Sequence, residues 1–175
     1  ILAKIGVNEH GLAIGLNILR ATNDRQELGI PVHIFQRMAL DCPDVPTLIA
    51  LAKPMRFSAS SNAILGDAQG NVTSLEYSPS GSAAIAPTNG VVTHTNHFQD
   101  VELSLFQAPL TQMLTTEPRL QCASGLVNKW PDLVEASHLI RMLRDESGDS
   151  VEGADPKFGA ICRWPDPSLP PELQV

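Results

Sequence analysis

A chain of 175 residues, 43% hydrophobic and only 18% charged, is long enough for one domain with a real core and too apolar to be disordered. Its net charge of −7 and its lack of any Lys/Arg cluster speak against a nucleic-acid-binding surface, and no apolar run of about 18 residues is present to span a membrane. Cys42, Cys122 and Cys162 lie far apart with no C-x-x-C spacing, which argues against a disulfide framework or a zinc site and favours an intracellular setting.

Leu2 to Val7 and Leu12 to Leu19 are apolar, partly alternating runs around Asn8-Glu9-His10-Gly11, a β-hairpin signal in which the glycine supplies positive φ. Gly6 and Gly15 fall inside these strands, where they cost stability unless backbone or ligand approaches closely. Asn17 is a polar residue in a buried strand, read first as a satisfied sheet asparagine. Arg20 to Gly29 has no periodicity and reads as a loop. Pro31 takes a first helical position, and Val32, Phe35, Met38 and Ala39 recur at helical spacing, which predicts a helix through Leu40. Pro43 and Pro46 punctuate the next turn, and Thr47 to Lys53 is expected to form a second short helix that stops before Pro54.

Ser60 to Gly66 and Asn71 to Tyr77 flank a turn containing Asp67 and Gly70, and Ser82 to Ala86 and Val91 to Thr95 flank Thr88-Asn89-Gly90, a strong hairpin signal. These predict a four-strand meander. Pro118 to Lys129 and Pro131 to Arg144 each open at a proline and carry Leu and Val at helical spacing, notably Leu133, Val134, Leu139, Ile140 and Leu143. Asp145 to Lys157 reads as loop, Ala160 to Arg163 as one more short strand, and the prolines from Pro165 to Pro171 exclude regular structure. Hairpins alternating with helix pairs indicate an α+β fold with antiparallel sheets.

The densest polar stretch is Val91 to Phe98, V-V-T-H-T-N-H-F, read as a strand that ends by presenting Thr93, His94, Thr95, Asn96 and His97. Two readings stay open. Such side chains often just satisfy loop backbone groups. Alternatively, the neutral amide of Asn96 donates to a developing oxyanion. A metal site is the weaker idea, because His94 and His97 fit no ligand spacing and no Cys or carboxylate stands beside them in sequence. Each cysteine reads as a small buried hydrophobe rather than a nucleophile.

V-V-T-H-T-N-H-F resembles the H-T-N-H segment of the acyl-coenzyme A:6-aminopenicillanic acid acyltransferase (isopenicillin N acyltransferase-like) family of N-terminal-nucleophile (Ntn) hydrolases. Other segments agree in order: I-G-V-N-E-H-G-L-A-I-G-L-N at Ile5 to Asn17, L-E-Y-S-P at Leu75 to Pro79 and I-C-R at Ile161 to Arg163. The resemblance implies an αββα sandwich with antiparallel sheets, of which residues 1–175 are a single partial domain incomplete at both ends. It also implies acyl transfer or amide hydrolysis through an acyl-thioester on an N-terminal Cys, whose free α-amine acts as base for its own thiol. That Cys and a catalytic Asp are expected upstream of Ile1, so the chain is expected to be an internal piece, inactive and poorly soluble alone, with the rest of its precursor as partner.

The other implied partner is a small-molecule amide or acyl substrate. No cofactor, metal, nucleic acid or membrane is implied, and acyl-coenzyme A is allowed as a co-substrate. By the same resemblance Asn96 matches the asparagine that helps form the oxyanion hole. Ser78 matches the serine of the family's E-F/Y-S-P segment, implicated in processing or activity, with a plain strand-end turn serine as an equal alternative. The family's Arg-Gly pair finds no counterpart between Leu169 and Val175, and Arg163 is not equated with it. Two further readings remain: a catalytically empty Ntn-like scaffold serving as a binding or subunit module, and a bile-salt hydrolase-like or penicillin V acylase-like amidase, which shares the N-E-x-G-L hairpin.

Overall fold

The computed structural model describes residues 4–110, 115–130, 135–146 and 160–162, and the chain divides into two compact units, Ile1–Ala108 and Pro109–Val175. In the first unit the described residues form one antiparallel sheet of β1 (Gly6–Val7), β2 (Ala13–Ile18), β3 (Ser61–Gly66), β4 (Val72–Ser78) and β5 (Gly81–Ile85), side by side in chain order. Between β2 and β3 the chain makes α1 (Val32–Ala39) and α2 (Val45–Ala52).

Local chemistry sets these boundaries. Gly11 takes φ of 85°, and a Cβ there would sit 2.8 Å from the Ala68 methyl, so the first hairpin needs glycine for both conformation and space. Asn8 locks the same turn: its Oδ1 accepts from the His10 and Leu12 amides, while its Nδ2 donates to the carbonyls of Leu40 (3.1 Å) and Cys42 (2.7 Å) beyond α1. Gly6 and Gly15 meet nothing closer than ordinary side-chain contact. Gly29 is constrained by space, since a Cβ there would come within 2.4 Å of the Phe57 backbone. Pro31 is the N-cap of α1 and not its first residue. Helix α2 starts two residues before the expected Thr47: Asp44 caps it by accepting from Thr47 N–H at 2.8 Å, and Pro46 lies inside the first turn, where no N–H is needed.

Because neighbours along a strand point to opposite faces, the sheet has two different surfaces. One carries Ile14, Ala63, Leu65, Leu75 and Tyr77, against which Phe35, Ala39, Val45, Leu48, Ala52 and Phe57 pack in a single buried cluster. The rings of Phe35, Phe57 and Tyr77 meet with centroids 4.7–5.0 Å apart. Burial pushes the Tyr77 hydroxyl up to about 12; nearby Ser61 and Gln36 offset this only partly, and none gives it a well-formed hydrogen bond.

The opposite surface is polar and small. Register pairs Asn17 with Asn62 and Asn62 with Glu76, so the three stand in one cross-strand row. Asn62 and Glu76 are fully buried. The chain from Val92 to Asp100 runs above this row, and Phe98 packs with Leu19, Ala21, Leu103 and Ala83 at its edge.

Three of the four meander strands form as expected, but Val91–Thr95 is not a strand. Asn89 (φ 51°) and Gly90 (φ 75°) do make the tight turn, closed by Thr88 N–H to Val91 O (2.9 Å) and Val91 N–H to Thr88 O (3.0 Å). The ladder stops there because side chains take the next carbonyls: Gln99 Nε2 donates to Thr93 O (2.9 Å) and Asn17 Nδ2 to His94 O (3.0 Å). Shortly afterwards comes a helix that periodicity misses, α3 (Val101–Ser104), capped by Asp100 accepting from the Glu102 and Leu103 amides.

In the second unit, α4 (Thr116–Val127) begins two residues before Pro118, which falls harmlessly in its first turn. Helix α5 (Ala136–Leu143) is capped reciprocally by Glu135 and His138 and leaves Leu139, Ile140 and Leu143 exposed. Leu133 and Val134, the segment 147–159, Arg163 and the prolines from 165 on lie outside the described residues. Ala160–Cys162 is not a strand: Cys162 N–H donates to Asp145 O (2.7 Å) across a bend. No described helix is long and apolar enough to cross a membrane.

Candidate active site

The polar face of the sheet builds the candidate site. Glu76, in the middle of β4, projects a carboxylate that water does not reach, and three donors converge on it. His94 Nε2 and Gln99 N–H both lie 2.7 Å from Oε1, and Asp100 N–H lies 3.1 Å from Oε2. Both side chains of the His94–Glu76 pair are completely buried. The other ring nitrogen, Nδ1, sits 2.7 Å from Thr95 O and 3.4 Å from Asn17 Nδ2. Asn17, two strands away from Glu76, holds the His94 carbonyl.

Asn96 therefore sits on a stretch fixed before it by His94 and after it by Gln99 and Asp100. It is half-buried, and its Nδ2 donates to Ile18 O at 3.1 Å, where β2 ends. An amide nitrogen carries two hydrogens in one plane, so this bond orients the whole group. The neighbouring residues are anchored as well: Thr95 is buried with its Oγ1 3.3 Å from His97 Nδ1, and Phe98 N–H donates to Gln107 Oε1 at 2.9 Å. Gln107 in turn donates to the Arg20 and Ala108 carbonyls.

Ser78 lies at the same end of the sheet as Ile18, since register carries Ile18 to Ser61 and Ser61 to Tyr77. Strand β3 intervenes, which sets the strands of Asn96's anchor and of Ser78 roughly 10 Å apart. Ser78 is fully buried and its Oγ accepts from Ser80 N–H at 3.1 Å, closing the β4–β5 turn. That bond matches the turn-serine alternative. Asn17 matches the satisfied-asparagine reading, with the addition that its partner is the His94 segment. Glu76 is a site residue that the sequence pattern does not single out, because its burial beneath His94 shows only in the fold.

Neither Cys42 nor Cys122 is set up for attack, and Cys162 is half-buried where small buried hydrophobes are expected at all three positions. Cys42 and Cys122 are buried; desolvation first, then the charges of Asp41 and Asp44, raise the Cys42 thiol above its ordinary value. Cys122 Sγ donates to Asp145 Oδ2 at 3.5 Å in the second unit. Among the described residues no three His, Cys, Asp or Glu side chains are grouped to hold a metal ion.

The sequence model of the family described as "Acyl-coenzyme A:6-aminopenicillanic acid acyl-transferase" matches residues 3–162. The chain belongs to this family. A curated relative, the acyl-coenzyme A:6-aminopenicillanic-acid-acyltransferase 40 kDa form of Emericella nidulans, is 33% identical over 99 residues, which cover 55% of this chain and 27% of the relative. A solved structure of a variant of conjugated bile acid hydrolase from Clostridium perfringens superposes with a TM-score of 0.57 at 12% identity, covering 80% of this chain and 58% of that one. The second likeness shows the fold, that of the Ntn hydrolases, and the family itself is shown by the sequence model over residues 3–162. The matched stretches span about a quarter of the curated relative's length and under two thirds of the solved structure.

Proposed function

We propose that the protein containing these residues cleaves or transfers an acyl group at an amide, through an acyl-thioester on an N-terminal cysteine outside residues 1–175, with Asn96 as an oxyanion-hole donor. The observation that carries this is the fixing of Asn96 itself: a neutral amide oriented by Ile18 O, on a backbone pinned on both sides by buried groups. Rigid placement is what distinguishes an oxyanion donor from an ordinary loop amide, because no reorganisation then remains to be done as charge develops.

In this reading the cysteine α-amine takes the thiol proton and the sulfur adds to the substrate carbonyl. Asn96 stabilises the resulting oxyanion. Collapse breaks the C–N bond, and the proton passes from the ammonium to the departing amine. Water then resolves the thioester in hydrolysis, or a second amine does so in transfer. The relative's name specifies acyl-coenzyme A and 6-aminopenicillanic acid as its pair. Hydrolysis of other amides stands equally well here, since pockets vary more than the donor does.

The full-length protein, incubated with amide substrates and alkylated with iodoacetamide, is expected to yield label on a newly exposed N-terminal cysteine together with substrate turnover. An absence of any such cysteine would leave a catalytically empty scaffold as the surviving reading.

A further inference from the structure

We propose that Glu76, acting with Asn17, is a positioning residue for the oxyanion donor, gripping the segment that carries Asn96 from two strands at once. The proposal rests on the role given to Asn96 above. Its basis is the convergence of three donors from outside the sheet on one buried carboxylate: the His94 ring, before Asn96, and the Gln99 and Asp100 amides, after it. Asn17 adds a grip on the His94 carbonyl from the other end of the same cross-strand row.

Stability alone is a poor account of this arrangement. Removing a carboxylate and an imidazole from water costs free energy that their attraction in the interior only roughly offsets, and apolar replacements of similar shape commonly fold as well or better. What a buried pair does supply is one allowed arrangement, because any slip of the segment leaves donors facing no acceptor. The row has little slack beneath it. Asn62, between Asn17 and Glu76, is fully buried, its Oδ1 accepts from Ser74 Oγ at 2.6 Å, and its Nδ2 has no hydrogen-bond partner.

Removing the grip should therefore misplace Asn96 without removing it. In the full-length protein, Glu76→Gln keeps the shape but turns an NH₂ toward one of the three donors. It is expected to lower kcat roughly 10- to 100-fold, less than loss of the donor itself, with KM within about twofold of wild type. Hydrogen exchange of the Gln99 and Asp100 amides should accelerate, and the His94 ring nitrogen signals should shift in ¹⁵N NMR. Glu76→Asp, which keeps both acceptor oxygens on a shorter stem, should recover part of the rate.

A folded Glu76→Gln protein with wild-type kcat, or one whose kcat falls only as far as its unfolded fraction rises, would overturn the proposal. So would unchanged exchange and ring signals. If Glu76→Gln does not fold, Asn17→Ala carries the same test through the second grip. If the wild-type protein shows no turnover while the exchange and ring signals respond as stated, the reading of Asn96 as an oxyanion donor fails and the mechanical coupling of Glu76 to the segment stands.

Discussion

The two faces of the β-sheet are built on different principles. Toward α1 and α2 the sheet offers Ile14, Ala63, Leu65 and Leu75, side chains that need only area and volume, and the helices meet them with Phe35, Leu48 and Ala52. Toward the segment 92–100 it offers Asn17, Asn62 and Glu76, side chains that need a partner at a set distance and angle. The first face makes the fold stable, and repacking can compensate a change there. The second fixes where Asn96 stands, and has no equivalent compensation. Changes on the apolar face should thus move stability, and changes on the polar face should move chemistry.

The largest stability effect should come from Phe35→Ala. It empties the centre of the three-ring cluster and is expected to lower stability by about 3–5 kcal/mol, while turnover per folded molecule is unchanged. Denaturant melts paired with active-site titration check both halves. Asn96→Ala is the converse. It should leave the melt nearly intact and depress acylation roughly 10²- to 10³-fold, and Asn96→Asp should do at least as much harm by placing negative charge where negative charge develops. Full turnover in Asn96→Ala, or loss only through unfolding, would return the H-T-N-H segment to a structural role. His94→Ala should lower stability, because it strands the buried Glu76 carboxylate, and should also lower turnover per folded molecule, because it frees the segment before Asn96.

A smaller and purely apolar-face effect concerns alkaline pH. Burial pushes the Tyr77 hydroxyl from its ordinary 10.0 up to about 12, so the folded state holds this proton more tightly than the unfolded chain. Its contribution is fully present below pH 10 and is lost as pH rises through 12, amounting to about 2–3 kcal/mol over that window. Tyr77→Phe should remove that part of the alkaline decline and be at least as stable near neutrality, since the hydroxyl it deletes lacks a well-formed hydrogen bond. Stability against pH for the two proteins checks the claim, and identical alkaline profiles would count against it.

How much was legible in the sequence follows the same division. The apolar face writes itself as periodicity, so β2, α1 and the meander through β5 were recoverable with boundaries off by a residue or two. Asn89-Gly90 predicted its turn correctly. It misled about what followed, because whether a hairpin ladder continues past Val91 depends on side chains at positions 17 and 99, remote in sequence. Asn96 and Asn17 could be singled out by type alone. Glu76 could not be given a role without knowing that β4 carries it beneath His94, since a glutamate inside an alternating strand usually means a solvated position. Partnership across 18 residues, as between Glu76 and His94, leaves no periodic trace.

The smallest effect expected lies at the rim of the sheet, where both principles meet in Asp67. Its carboxylate accepts from Gln69 N–H, Asn71 N–H and Asn71 Nδ2 within the β3–β4 turn, and from Val45 N–H at the start of α2. Desolvation works to raise this carboxyl, but the hydrogen bonds, led by that from Val45, hold it below its ordinary value of 3.8. A lowered folded value means that its stabilisation is present above the unfolded value and disappears as pH falls through the folded one. Asp67→Asn keeps one acceptor oxygen and puts an NH₂ where Val45 or Asn71 now donates. It should lower the melting temperature by a small amount at neutral pH, and the gap from wild type should close as the pH drops below 3.8. A gap that persists undiminished in acid would show that the turn depends on the shape of Asp67 and not on its charge.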